Sequence, residues 1–145
     1  MSKTNAWENG LLLLVFNNTN FANVGDATGL RGSSSAGSLY VSLHTGDPGE
    51  AGSQTTSECT YGAYARVAVA RSGAGFTVTN DSVSPASIVA FPEATSGSET
   101  ATHFGIGTDS SGAGTLLYKG TVTPNIVIST GVTPRLKTTS TVTEA

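Results

Sequence analysis

The stretch that decides the fold class runs from Leu39 to Gly52 and reads LYVSLHTGDPGEAG. Its first half alternates apolar and polar residues, which is typical of a strand that buries one face. The apolar positions are Leu39, Val41 and Leu43. In its second half Pro48 fixes its own φ, and Gly49 is free to adopt a positive φ. The stretch therefore predicts a core strand that leaves a β-sheet through a Pro-Gly turn.

Short β-branched and aromatic runs separated by turn residues continue from this stretch to the end of the chain. About eight or nine such runs, with no helical pattern between them, indicate an antiparallel β-sandwich of the jelly-roll kind. The predicted strands are Ser38 to His44, Tyr64 to Arg71, Phe76 to Thr79, Ser87 to Phe91, Thr102 to Gly107, Thr115 to Gly120, Asn125 to Ser129, and a last pair around Val132 to Leu136 and Thr138 to Thr143.

The N-terminal segment has a helical pattern instead. Asn5 is a good N-cap, and Glu8 follows at the spacing of a capping box, so we expect a helix over about residues 5–16. This helix is apolar nearly all round and must be buried on more than one side, by its own domain or by a partner. Residues 17–37 are polar and predict a long loop or arm. At 145 residues, we expect a single domain in which residues 38–145 form the sandwich.

Composition and charge exclude several classes of function. The chain carries 18 glycines, only 12% charged residues and a net charge of -3, and its basic residues are scattered. Binding to nucleic acid or to an anionic membrane needs clustered Lys and Arg, so neither partner is expected. The apolar run at residues 11–16 is far shorter than the roughly 20 residues that cross a bilayer. The single cysteine, Cys59, excludes an internal disulfide framework.

No motif in the chain predicts catalysis or a cofactor. The spacing of the candidate metal ligands matches no zinc or calcium pattern; they are His44, Asp47, Glu50, Glu58 and His103. The serines at 33–35 lack the Gly-x-Ser-x-Gly turn of a hydrolase. We therefore expect no enzyme, no metal and no cofactor. Arg66 and Arg71 are interpreted as outward-facing strand charges or interface contacts, and most aromatic residues as core.

Several segments together resemble a known family. They are the apolar N-terminal helix, the stretch from Leu39 to Gly52, Glu58, Tyr61, residues 64–69 (YARVAV), 88–92 (IVAFP), 103–106 (HFGI) and 114–120 (GTLLYKG). In this order they resemble small virion proteins of tailed bacteriophages that are often described as fibre-like. The resemblance is nearest to capsid cement or decoration proteins of short-tailed phages. It implies a jelly-roll-like sandwich, homo-oligomers and no catalysis, and it implies nothing for the inserted stretch 17–37.

The leading hypothesis is therefore a capsid cement protein, made in the host cytoplasm, that binds the exterior of the head and stabilises it. Its expected partners are the major capsid protein and further copies of itself, as a homodimer or homotrimer. The alternative is a tail-fibre or tail-tip module that binds a host receptor. We expect protein contacts at six polar or charged residues: Asn17, Asn20, Arg31, His44, Asp47 and Arg66.

Overall fold

A computed structural model describes residues 1–26 and 29–144 of the chain. The elements are α1 (Asn5–Asn17), β1 (Ser38–His44), β2 (Val67–Ala70), β3 (Phe76–Thr79), β4 (Ser82–Pro85), β5 (Val89–Ala90), β6 (Ser98–Gly107), β7 (Leu116–Ser129), β8 (Arg135–Leu136) and β9 (Val142–Thr143). The pairs β1–β6, β6–β7, β3–β4, β4–β9 and β5–β8 are antiparallel. The prediction of an antiparallel all-β fold with one short N-terminal helix is confirmed.

The helix begins at Asn5, the residue that was predicted to be its N-cap. Thr4, in extended conformation, is the N-cap, and its side chain accepts the Trp7 N–H. The prediction of Asn5 as N-cap was wrong because Asn5 already has helical geometry, and a Thr hydroxyl serves the same orphan donors. The helix ends at Asn17, since Asn18 adopts a left-handed conformation with a φ of 55°.

The chain forms two compact units, each built from separate pieces of sequence. Unit 1 comprises Met1–Ser38, Val69–Ser87 and Lys137–Ala145, and unit 2 comprises Leu39–Ala68 and Ile88–Leu136. The prediction of a single domain stays a prediction.

In unit 1 the helix packs on the sheet of order β3-β4-β9. Leu12 and Phe16 are fully buried, and the Phe16 ring meets the Phe76 ring edge-on at 4.9 Å. Burial by its own chain is thus shown for Leu12 and Phe16, and burial of the helix by a partner stays a prediction. Strand β4, which the sequence patterns missed, follows β3 through the turn at Asn80, whose φ is 55°.

The predicted loop or arm at 17–37 is a closed loop within unit 1; its residues 27 and 28 lie outside the described part. Phe21 and Leu30 exchange two backbone hydrogen bonds of 2.8 and 2.9 Å. The Asn18 side chain donates to the Ser33 carbonyl at 2.9 Å and accepts from the Ser33 N–H at 2.7 Å. The two ends of the loop are therefore tied together by backbone and amide hydrogen bonds.

Unit 2 is organised around a long antiparallel ribbon between residues 88–107 and 116–136. Its ladder runs from Val89 opposite Leu136, through Ser98 opposite Ser129, to Gly107 opposite Leu116. The segments Thr115 to Gly120 and Asn125 to Ser129 were predicted as two strands, but they form the single strand β7. The register of the ladder shifts between Ala101 and His103, because β7 has extra residues at this point. They include Pro124, which has no N–H to donate.

Strand β1 lies between β2 and β6 in the four-stranded sheet of order β2-β1-β6-β7. Its predicted core residues are buried: Leu39, Val41 and Leu43. The expectation that β1 buries only one face is wrong for its second half, because Ser42 and His44 are also fully buried. The segment after the turn returns beside the strand, with the Cys59 N–H bonded to the Leu43 carbonyl at 2.9 Å, and contributes the second cover.

Candidate functional site

The most densely bonded polar site in unit 2 is an ion pair between Glu58 and Arg66. Arg66 Nε lies 2.7 Å from Glu58 Oε1, and Arg66 Nη2 lies 2.8 Å from Glu58 Oε2. Only 3% of the Arg66 side chain and 13% of the Glu58 side chain are exposed. Tyr64 donates its hydroxyl hydrogen to Glu58 at 2.9 Å and accepts the Leu43 N–H at 3.1 Å. The carboxylate is thus compensated by a two-pronged guanidinium and a phenol.

The same guanidinium holds the connection between β6 and β7. Arg66 Nη1 donates to the Asp109 carbonyl at 2.8 Å, and Nη2 donates to the Gly112 carbonyl at 2.7 Å. These two carbonyls belong to residues 108–115, whose sequence is TDSSGAGT and which we call the tip loop. A planar fork with several donors can bind a carboxylate and two carbonyls together, which a lysine ammonium does less specifically. Arg66 therefore ties the tip loop to Glu58.

Gln54 makes a second attachment to the tip loop. Its side-chain amide accepts the Asp109 N–H at 2.9 Å and donates to the Asp109 carbonyl at 3.2 Å, as a neighbouring strand would. Gln54 is fully buried, and its own N–H donates to the Ala113 carbonyl. A Cβ at Gly107 or Gly114 would come within 2.2 Å of the Gln54 side chain. Glycine at both positions thus admits the amide that fixes the exposed loop.

Burial and hydrogen bonding shift the pKa values in this network. The bond to Glu58 raises the pKa of Arg66, so the guanidinium stays charged. Burial, followed by the electrostatic effect of Glu58, raises the pKa of Tyr64 well above its usual range, so its phenol remains a hydrogen-bond donor. Neither group is poised for proton transfer near neutral pH. The network is suited to holding structure in place.

A serine and a histidine also meet in unit 2. Ser42 Oγ lies 2.8 Å from His44 Nε2, while His44 Nδ1 lies 2.8 Å from the Thr56 carbonyl. Because a carbonyl only accepts, Nδ1 carries the proton and Nε2 accepts from the serine. Burial lowers the pKa of His44. Both side chains have no exposed surface, so in this conformation a substrate has no access to the pair.

A third polar cluster surrounds the Pro-Gly turn of the opening stretch. Lys119 Nζ lies 3.0 Å from Asp47 Oδ1 and 3.3 Å from Glu50 Oε1. Asp47 Oδ1 accepts the Gly49 N–H at 2.8 Å, and Gly49 has the predicted positive φ, 75°. The Gly49 N–H and then Lys119 hold the pKa of Asp47 below its usual value. Unlike the Glu58–Arg66 pair, this cluster lies at the surface.

The structure divides the six predicted contact residues between the two units. Asn17, Asn20 and Arg31 lie in unit 1, where Asn20 Oδ1 accepts the Gly32 N–H at 2.9 Å and Arg31 is exposed. Asn17 is the last residue of α1, and its amide nitrogen reaches the Phe76 carbonyl at 3.0 Å when it is turned toward it.

The other three predicted contacts, His44, Asp47 and Arg66, lie in unit 2. Only Asp47 is exposed, because the side chains of His44 and Arg66 are occupied inside the unit. That these six residues contact a partner stays a prediction, and Asn20, Arg31 and Asp47 have the accessible surface it requires.

The interpretation of the two strand arginines as outward-facing was wrong. Arg66 points into the Glu58 network, and Arg71 caps the end of α1 in unit 1. Arg71 Nε and Nη2 donate to the Val15 and Leu14 carbonyls, each at 2.6 Å, and Nη1 donates to Ser33 Oγ at 3.0 Å. The last carbonyls of a helix lack partners within it and attract cations, which explains why this arginine turns inward.

Sequence patterns missed the roles of Gln54 and Lys119 and the cap made by Arg71, and they gave Glu58 as a candidate metal ligand and as part of the family resemblance, not as the partner of Arg66. The Gln54 amide meets Asp109 across 55 positions of sequence, a separation that no local pattern reports. Among the residues that the structure describes, no three His, Cys, Asp or Glu side chains lie close enough to hold a metal ion. Within the same residues, no helix has the length and apolar character needed to span a membrane.

With this geometry in view, comparison with known families identifies the class of protein. Residues 2–144 match the family described as podophage GP4 fiber I protein gp80. Since the match covers nearly the whole chain, the protein belongs to this family and is a structural protein of the virion of a short-tailed phage. No curated protein matches the chain. The expectation of a phage virion protein with a fibre-like description is confirmed.

Proposed function

We propose that this chain is a non-catalytic component of the tail-fibre apparatus of a short-tailed phage, held in place by contacts with neighbouring virion proteins. The observation that carries the proposal is the match of residues 2–144 to a podophage fibre family. Because the family description names a fibre, we put the tail-fibre placement first and capsid cement second, the reverse of the order expected from the sequence.

The geometry of unit 2 supports a role in protein contacts. The tip loop is exposed, yet side-chain hydrogen bonds from Arg66 and Gln54 hold its backbone in place. A loop that is already ordered loses less conformational freedom on binding, so a given contact surface yields a higher affinity. Binding residues are often found on such loops, held by a rigid scaffold. The proposal includes no catalytic step, and the buried Ser42–His44 pair contributes hydrogen bonds alone.

Capsid cement is the second candidate. It is favoured by the resemblance of the stretch from Leu39 to Gly52 and its downstream segments to decoration proteins, and by a sequence without a fibre-forming repeat. In that role the partners are the major capsid protein and further copies of this chain, as a homodimer or homotrimer on the capsid exterior. Several modest contacts on a symmetric shell reinforce one another through simultaneous engagement.

The two placements are separated by counting and locating the protein in purified virions. Quantitative mass spectrometry gives the molar ratio of this chain to the major capsid protein, and antibody labelling in the electron microscope gives its position. A low ratio with labels at the tail supports the fibre apparatus. A molar ratio near one, with labels over the head, supports cement instead. In that case virions that lack the protein should also rupture at a lower temperature. Absence from purified virions contradicts both.

A further inference from the structure

An open groove of about 260 Å³ lies in unit 2 beside the first residues of β7. One wall is the backbone around the Pro-Gly turn, and the other is the beginning of β7. The lining residues are Gly49, Glu50, Gly52, Leu116, Leu117, Tyr118 and Lys119. This volume is below the roughly 300–1,000 Å³ of typical small-molecule pockets, and the groove is not enclosed.

The groove follows the edge of the sheet. Side chains alternate between the two faces of a strand, so a cavity on one face is lined by every second residue. Here four consecutive residues, from Leu116 to Lys119, line the same groove. Among the strands that the structure describes, β7 is the last of its sheet and pairs only with β6. The backbone edge of β7 is therefore the surface that the groove exposes.

A β-bulge in this part of β7 adds an independent observation. Tyr118 faces Ile106 and Leu116 faces Gly107, which leaves Leu117 without a facing residue in β6. The side chain of Leu117 is among the exposed large hydrophobic residues, at 39%. A bulged residue is unpaired in its own ladder and changes the direction of its side chain. An apolar side chain and a stretch of edge backbone are thus presented together.

The opposite wall is a tight turn in which the backbone at Gly52 lies close to the Pro48 carbonyl. A Cβ on Gly52 would lie 2.1 Å from the Pro48 carbonyl oxygen, so only glycine permits this turn. This wall carries Glu50, whose side chain is 96% exposed, and Asp47 lies in the same turn. Both carboxylates pair with Lys119 of β7. One positive and two negative charges leave the cluster with a net charge of -1. The rim of the groove therefore favours a cationic neighbour.

We propose that this groove receives an extended, basic segment of another virion protein, which adds a strand along the β7 edge at Leu116–Lys119. Strand addition supplies backbone hydrogen bonds for affinity, and the side chains beside the edge supply specificity. A partner lysine or arginine would pair with Glu50, and a partner apolar residue would cover Leu117. The proposal deepens the proposed function, since it rests on the chain being assembled into a virion.

A single extended segment fits the groove better than a second copy of this chain. Pairing of two copies through the same edge would bring two clusters of net charge -1 together, and like charges oppose association. A lone basic strand does not meet this repulsion.

Hydrogen exchange tests the backbone part of the proposal. Exchange at residues 116–119 is compared between the purified protein and intact virions, with residues 126–129 of the same strand as the internal control. We expect the 116–119 amides to exchange about tenfold or more slowly in the virion, while the control segment changes little. Equal exchange in both samples overturns the proposal. So does protection that grows with the concentration of the purified protein, because a second copy would then occupy the edge.

Charge reversal tests the specificity of the groove. Glu50→Lys changes an exposed side chain on the wall, and Glu93→Lys makes the same change at another exposed position of unit 2. We expect the first variant to lower incorporation into virions about tenfold at low salt and the second to leave it unchanged. Equal incorporation of the two variants overturns the proposal. If the protein is found at the tail but residues 116–119 are not protected there, this inference fails and the proposed function stands. If the protein is found on the head, the fibre placement fails. Protection of residues 116–119 in those virions then still decides whether the groove inference holds.

Discussion

Arg66 and Glu58 face each other as a bidentate pair, with Nε–Oε1 and Nη2–Oε2 distances of 2.7 and 2.8 Å, and the same guanidinium also holds the carbonyls of Asp109 and Gly112. One arginine thereby joins the segment after β1 to the tip loop between β6 and β7. The stability of unit 2 and the order of its exposed loop depend on the same side chain.

Removing the cation of this pair should destabilise the protein strongly. Arg66→Met leaves a nearly buried Glu58 carboxylate without its counter-charge, and breaking such a pair from one side costs about 3–5 kcal/mol in the free energy of unfolding. Urea denaturation measures the change. The double variant Glu58→Gln with Arg66→Met should lose less than the single one, because no unpaired charge remains. A Lys119→Met control, at a surface pair, should change little. A loss in Arg66→Met no larger than in that control would contradict the prediction.

The stability of the protein should fall when the pH drops below about 6.5, the usual pKa of histidine. Burial lowers the pKa of His44 in the folded state. Between the unfolded and the folded pKa, the unfolded chain binds a proton at this histidine that the folded chain does not, so acid favours unfolding. Urea titrations at pH 7.5, 6.5 and 5.5 measure how the free energy of unfolding changes with pH. This pH dependence should weaken in His44→Gln and persist in His103→Gln. An equal pH dependence in both variants would contradict the prediction.

Loss of the arginine that caps α1 should loosen the end of the helix. Arg71→Gln removes charged donors from the Val15 and Leu14 carbonyls, and leaving such groups unsatisfied costs about 1–3 kcal/mol. Thermal unfolding measures the loss, and hydrogen exchange should show faster exchange in the last turn of α1. The exposed Arg31, in the same unit, provides the control variant Arg31→Gln, which should behave as the wild type. Identical melting of the two variants would speak against the capping role.

The single thiol should be unreactive in the folded protein. Cys59 is 1% exposed, and burial, followed by the negative charge of Glu99, raises its pKa to about 12. Because the thiolate is the reactive form, an aromatic disulfide reagent at pH 8 should modify Cys59 slowly in buffer and rapidly in concentrated urea. Modification at the same rate in both conditions would show that the thiol is accessible in the native state.

Much of the fold could be predicted because its signals are local. The alternation from Leu39 to Leu43, the positive φ at Gly49 and the helix over residues 5–16 each depend on neighbours within one or two turns of chain. The errors have local causes too. Thr4 and Asn5 are both good caps, and the pattern alone does not choose between them. Two strands, Thr115 to Gly120 and Asn125 to Ser129, were predicted where the single strand β7 continues through Pro124, because a missing N–H is tolerated on an edge strand.

The site could not be predicted in the same way, because its contacts join distant positions. Glu58 and Arg66 are close in sequence, but nothing in that spacing reports that they face each other or that Arg66 reaches a loop some forty residues further on. The two strand arginines were expected at the surface, since an isolated charge is costly to bury. The Arg66 side chain is nearly buried and Arg71 is half-buried, because carboxylate or carbonyl oxygens accept from their guanidinium groups, and only the assembled fold brings those oxygens together.

The division of unit 1 into three separate pieces of chain has a consequence for the order of events on the ribosome. Strand β4 can pair with β3 as soon as both are made, but its other edge waits for β9, with Val83 opposite Val142. At a synthesis rate of about 5–20 residues per second, that edge stays open for roughly 3–12 s. Unit 2 ends at Leu136, so its chain is synthesised before the last piece of unit 1 emerges. A chain that ends at Leu136 and is held clear of the ribosome by a C-terminal linker should therefore protect the β6–β7 ribbon from protease while the β9 edge of β4 stays accessible.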